Sequence, residues 1–268
     1  MSMVKLNELI GHFEKLWPMG DAEQWDRPGL MIGDPSQDVS KVLLTVDVTM
    51  ETLESAVSKS AQLVLSHHPM FLRGVTSLPE TSFQGEMAAF AIRNHLAVFS
   101  AHTNADFQES GVSATLARSL GLESLVPLDP LIGQGVIGEV QPTSLVDFAR
   151  KVARTLPAVA SGIKTSGDPE KQISRVGLVA GAGDSFLQRG LSSNLDLFIT
   201  SDLRHHPASD FVAQSKLQDG PALMDVAHWA AEWMWLEVAA TELAMAFGSV
   251  EFEVSDINTD PWDFAVMQ

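Results

Sequence analysis

Short apolar runs of strand length alternate with stretches of helical spacing along this chain, and that alternation restricts its fold more than any other feature. Lys41–Val48 (KVLLTVDV), Ala61–Ser66 (AQLVLS) and Leu96–Ala101 (LAVFSA) are aliphatic or β-branched runs, and helical patterns lie between them over Thr49–Ser60 and Ser82–His95. Runs that lack polar alternation suit strands buried on both faces, and strand–helix alternation predicts a mostly parallel sheet with helices on its faces. An amphipathic N-terminal helix, a short strand at Gly29–Ile32, a helix opening at the Thr49 N-cap and a helix over Gly111–Gly121 with a glycine stop complete this half.

A second α/β unit follows. Gly133–Val140, Ser174–Ala180 and Leu195–Thr200 read as strands and Thr143–Thr155 as a helix, while 157–172 is rich in Gly, Pro and Asp and reads as loop. Pro221–Phe247 holds the longest helical pattern, and Val250–Val254 (VEFEV) is a terminal strand of alternating polarity. The expected boundary lies near Glu123–Asp129. Residues 1–123 with 221–268 would then form a metal-binding α/β domain, and 124–220 a second α/β domain.

Composition removes several classes of function. The 268 residues carry 17 Lys and Arg against 34 Asp and Glu, a net charge of −17, so binding of nucleic acid through a basic face is a poor expectation. With no Cys there are no disulfides, iron–sulfur clusters, thiolate zinc sites or cysteine nucleophiles, and any metal must sit among nitrogen and oxygen donors. The apolar runs are too short or too interrupted by charge to span a bilayer. The N-terminus shows no secretory pattern, which points to the cytoplasm.

Ligands of parallel α/β sheets gather at the carboxyl ends of the strands. Two expected strands end in metal-binding side chains: one runs into His67 and His68, the other into His102 and Asp106. Neighbouring histidines leaving a strand point to different sides, so such a pair can serve two ions. An isolated His-His dipeptide is more often a polar loop; the second cluster makes the two readings about even. A third group, His228 and Glu232, shares one face of a helix, the geometry by which one helix gives two ligands to a metal. Its bland alternative is a wet stripe on an amphipathic helix, yet Trp229, Trp233, Trp235 and Leu236 crowd the stripe with apolar surface. Gly181-Ala182-Gly183 after a strand is more simply a tight turn than a phosphate cradle.

These residues, taken in order, resemble the GTP cyclohydrolase type 2 homologue family, also called NIF3-like dinuclear metal proteins. Trp25–Gly33 (WDRPGLMIG) is similar to its WDNxGLxVG signature, Leu44–Thr49 to its Asp-containing strand, and Ser66–Phe71 to its SHHPxF. His102–Asp106 resembles its HTNxD, Gly181–Gly183 its GxG turn, Asp202–His206 its GDxxxH and Asp225–Glu232 its DxGHxxSE. The chain departs from these patterns at Arg27, Ser201, Ala227 and Ala231, none of which removes a ligand type.

The resemblance implies two interlocked α/β domains with mostly parallel or mixed sheets. It implies two divalent ions per chain (Zn, Fe, Mn or Ni) held by His67, His68, Asp106, His228 and Glu232, with Glu232 bridging and His102 and His206 nearby as acid–base groups. It also implies a homohexameric ring and a metal-dependent hydrolase acting on a small nucleotide or phosphorylated substrate. Two alternatives are a metal-handling or storage protein and a ring-forming interaction protein without catalysis.

Overall fold

The computed structural model describes residues 3–266 and divides the chain into two compact units. The first takes Met1–Gln108 and Leu236–Thr259, the second Glu109–Trp235 and Asp260–Gln268. Each is α/β and each is built on one mixed sheet.

In the first unit five strands lie in the order Glu251–Val254, Lys41–Thr45, Leu63–Ser66, Ala97–Ser100, Gly29–Ile32. The first four are parallel and the last is antiparallel. The register aligns Leu43 with Val64 and Val64 with Val98, so the three share one face. That row packs on Leu53 and Ala56 of the Met50–Ser58 helix and on Met87, Ala88 and Ala91 of the Phe83–Arg93 helix. On the opposite face, Phe99 meets Phe13 of the Leu6–Leu16 helix at a ring separation of 5.0 Å. Both faces are therefore covered, which is why these strands read as unbroken apolar runs. Thr49 caps the Met50–Ser58 helix through a capping box with Thr52, as its position after a strand predicts.

The second unit has six strands in the order Glu123–Pro127, Val136–Ser144, Gln172–Ala182, Leu197–Ser201, Ala222–Val226, Lys164–Ser166. The Gln172–Ala182, Leu197–Ser201 and Ala222–Val226 strands are parallel, and the outer pairings are antiparallel. Phe198 is fully buried against Phe211 of the His205–Leu217 helix, in a cluster with Val179, Leu187 and Leu223.

Two stretches differ from their sequence-based expectation. Pro221–Phe247 is not one helical segment, because Ala222–Val226 forms a strand and the helix begins at His228 and runs to Ala246. Its Ala-Leu-Met-Asp-Val sequence suits either structure, and pairing with a strand on each side decides the matter. The 157–172 stretch contains the strand Lys164–Ser166, held against Ala222–Val226 and tied by an ion pair from Lys164 to Asp225 at 2.5 Å. Three residues between Gly and Pro are too few for a periodicity to show.

Candidate metal centre

Register in the first sheet accounts for the site. Thr45, Ser66 and Ser100 are aligned partners on adjacent parallel strands, so Asp47, His68 and His102, each two residues further on, leave the sheet side by side. His67 leaves one residue earlier and is almost wholly buried. One ligand atom from each of His67, His68 and His102 lies within 4.8 Å of the others, close enough to hold a metal ion. Asp106, on the short Thr103–Asp106 helix, brings Oδ1 to 3.9 Å from His67 Nε2.

The second unit repeats the device at its own sheet. Ala182 aligns with Ser201 and Ser201 with Val226; Asp202 follows one of these strand ends by one residue and His228 another by two. His228 opens the long helix and Glu232 follows one turn later, with Oε1 2.9 Å from His228 Nε2. Two donors about 2.0–2.2 Å from one ion are separated by roughly 3 Å when they are neighbours in its coordination shell, so this spacing suits joint ligation. Glu232 is buried in spite of its charge.

The imidazoles share one arrangement. His67 Nδ1 donates to the Ala101 carbonyl at 2.9 Å, His68 Nδ1 to Asp47 at 2.7 Å, His102 Nδ1 to Asp26 at 2.9 Å and His228 Nδ1 to Asp202 at 2.8 Å. Carbonyl and carboxylate oxygens only accept, so Nδ1 carries the hydrogen and the lone pair of each neutral ring falls on Nε2. This is the outer-shell pattern of metal-ligating histidines, in which an acceptor fixes the tautomer and ring orientation. Asp26, Asp47 and Asp202 were not singled out in the sequence, although each lies inside a stretch that carried the family resemblance. The signal that finds them is the requirement that a ligating histidine have an oxygen acceptor behind it.

Electrostatics couple these histidines to their carboxylates. Burial disfavours the cationic form of His228, but the carboxylates of Glu232 and Asp202 outweigh it and raise its pKa to about 11 in the metal-free protein. Burial would likewise raise the carboxyl of Asp26, yet hydrogen bonds and charge from His102 and Thr103 lower it to about 2. Asp202 adopts a left-handed backbone, φ 57°, a conformation that Asp tolerates better than most residues.

Gly181 has a structural reason that the sequence does not show. Its φ is +75°, and a Cβ there would lie 2.5 Å from Glu232 Oε1 and 3.4 Å from His228 Nε2. The glycine turn therefore leaves room for this donor pair. Gly181→Ala is expected to displace the Glu232 carboxylate and lower metal affinity by tenfold or more. Metal titration of the variant against wild type checks this; unchanged affinity would contradict the role. His206, by contrast, lies exposed near the start of the His205–Leu217 helix with its ring 5.2 Å from that of His205, and it joins neither donor set.

An α/β protein whose strand ends present histidines, each backed by an oxygen acceptor, has side chains that could hold a metal ion. The sequence profile of Duf34/NIF3 (NGG1p interacting factor 3) matches residues 4–261, and the chain belongs to that family. It is 40% identical over 272 residues to a GTP cyclohydrolase 1 type 2 homolog of Streptomyces coelicolor, covering 97% of this chain and 94% of the relative. It is 29% identical to a protein of the same description from Clostridium perfringens, covering 97% and 100%. Among solved structures, a Staphylococcus aureus hypothetical protein is 27% identical with a TM-score of 0.88, covering 98% of this chain and 100% of that one. A Bacillus cereus protein related to NIF3 shares the fold at a TM-score of 0.90 with 19% identity, covering 99% and 100%. Among the described residues no helix is long and apolar enough to cross a membrane.

Proposed function

We propose that the two donor sets act together as one dinuclear centre for divalent metal, with His67, His68, Asp106, His228 and Glu232 as ligands, in a metal-dependent hydrolase. The supporting observation is the shared orientation of the histidines: four rings, each with Nδ1 on an oxygen acceptor, so that Nε2 is the atom each neutral ring would offer an ion. The donor set is hard to borderline, all nitrogen and carboxylate oxygen, and suits Zn, Fe, Mn or Ni rather than a thiolate-seeking ion.

Ions bound there would supply Lewis acidity toward a substrate oxygen and acidify bound water. The chain's own residues supply orientation and proton handling. Asp47 and Asp202 hold His68 and His228 in place, and the buried backbone around His67 fixes its ring. His102, backed by Asp26 in the way that a catalytic base is oriented, is the group we assign to carry a proton during turnover. The hexameric ring and a nucleotide or other phosphorylated substrate belong to the same proposal, supported by the family relationship.

Protein purified without chelator is expected to contain close to two divalent ions per chain by elemental mass spectrometry. His68→Ala combined with His228→Ala, one change in each donor set, is expected to abolish both. Wild-type protein free of metal after such a preparation would overturn the reading. A panel of nucleotides and phosphoesters then separates a hydrolase, which turns over, from a metal-handling protein, which exchanges its ions without saturable hydrolysis.

A further inference from the structure

We propose that the cavity beside His102 is a binding site for a planar aromatic ring carrying an anionic group, and that it selects the substrate of the proposed metal centre; in that role it rests on the hydrolase reading above. The cavity has a volume of about 740 Å³ and lies wholly within the first unit. Trp25, Arg27 and Met31 form one side, and the loop from Phe71 through Leu72 and Arg73 forms the other. Its size falls in the range of small-molecule sites.

Charge is the first argument. The chain carries twice as many acidic as basic residues, 34 against 17. Yet two arginines and no Asp or Glu line this cavity. The carboxylate nearest in sequence, Asp26, is turned away and buried, accepting from Thr103 and His102. Arg27 is braced by donating Nη1 to the carbonyls of Gln24 and Asp26, while Arg73 is exposed. Two arginines lining one cavity, one braced and the other exposed, suit a phosphate or carboxylate.

Position is the second argument. Trp25 is 59% exposed, an unusual state for so large an apolar ring, and it meets the His102 ring edge-on at 5.8 Å. Phe71 follows His68 by three residues and lines the same cavity. Two aromatic side chains, one of them against a histidine of the candidate centre, offer a flat ring a place beside the donors. Arg27 stands where the family signature has Asn, so the cationic lining is in part this chain's own.

The test uses chelator-stripped full-length protein, so that metal cannot contribute to binding, and calorimetry with four probes: guanosine 5′-monophosphate, guanosine, inorganic phosphate and 2-naphthoate. At least one aromatic anion is expected to bind ten times or more tightly than guanosine or phosphate alone. Arg73→Ala should cut that preference by about tenfold and leave guanosine unchanged, whereas Trp25→Leu should weaken every ring-bearing probe. The tighter of the monophosphate and naphthoate names the anion, provided its binding depends on Arg73. No binding by either, or binding indifferent to Arg73, overturns the proposal. Neither Arg73 nor Trp25 is a metal donor, so both variants should keep wild-type metal content. Two ions per chain as purified without aromatic-anion binding would sink this proposal alone, and aromatic-anion binding by a protein that carries no metal when purified without chelator would sink the hydrolase reading alone.

Discussion

Replacing Glu232 with glutamine is expected to lower metal affinity by a hundredfold or more while leaving the fold in place, and to reshape the pH dependence of the metal-free protein. Glutamine fills the same volume beside Gly181 and is as good a helix former as glutamate, so the helix should persist. It removes a buried anion 2.9 Å from His228 Nε2. A neutral amide is a poor ligand for a divalent cation, and losing even an outer-shell partner of a metal ligand costs 10–100-fold in affinity. The second consequence concerns His228 itself. In the metal-free protein its pKa is raised above the ordinary 6.5 to about 11; burial opposes this, and the Glu232 and Asp202 carboxylates overcome it. A group whose folded pKa exceeds its unfolded one gives stability that is full below the unfolded value and is lost as pH rises through the folded value. Chelated wild-type protein should therefore lose stability progressively from about pH 6.5 to 11, and the Gln variant should show a flatter profile with a lower His228 pKa. Histidine proton NMR and denaturation at a series of pH values would show both effects. An unchanged His228 pKa in the variant would mean that Glu232 does not govern this site.

Much of this arrangement is legible in the sequence. The strand ends at His67-His68 and His102, and the helical i, i+4 pair of His228 and Glu232, carry chemistry in a spacing that reads directly from the chain. Register is what the sequence could not supply. Asp47, His68 and His102 stand together because Thr45, Ser66 and Ser100 are aligned partners, and pairing between strands is a property of the whole sheet. The same holds for Ala222–Val226, whose residues accept helix or strand and become a strand through neighbours on both sides. His-His-Pro occurs twice in the chain, at 67–69 and 205–207, and the second copy shows the limit of motif repetition. His67 leaves its strand at once, whereas His205 begins a helix four residues beyond the end of its strand, and Asp202 occupies the strand exit. Gly181 shows another limit: a small residue is visible in a sequence, but the carboxylate that requires it to be small is not.

Asp26→Asn is expected to destabilise the first unit by about 2 kcal/mol at neutral pH, with the deficit vanishing in strong acid. The carboxylate is 2% exposed and takes four donors: Arg27 N at 2.8 Å on Oδ1, and Thr103 N at 3.2 Å, Thr103 Oγ1 at 2.7 Å and His102 Nδ1 at 2.9 Å on Oδ2. Asparagine keeps the shape but has one accepting oxygen. With that oxygen on the side of His102 and Thr103, its NH2 group faces the Arg27 N–H, and two donors oppose each other; the reverse orientation strands three donors. Burial raises the Asp26 pKa, and the hydrogen bonds and charge of His102 and Thr103 more than reverse this, lowering it from 3.8 to about 2. A depressed carboxyl contributes stability that is present above its unfolded pKa and is lost as pH falls through the folded one. The wild-type advantage should thus be constant above about pH 5 and shrink between pH 4 and 2, so the urea midpoints of the two proteins should converge there. A gap that stayed constant down to pH 2 would show that the charge on Asp26 contributes nothing and that packing alone is lost. Because Asp26 also accepts from His102, under the proposed hydrolase reading the variant should lose hydrolytic rate more than it loses metal, which separates a group that orients a proton carrier from one that binds ions.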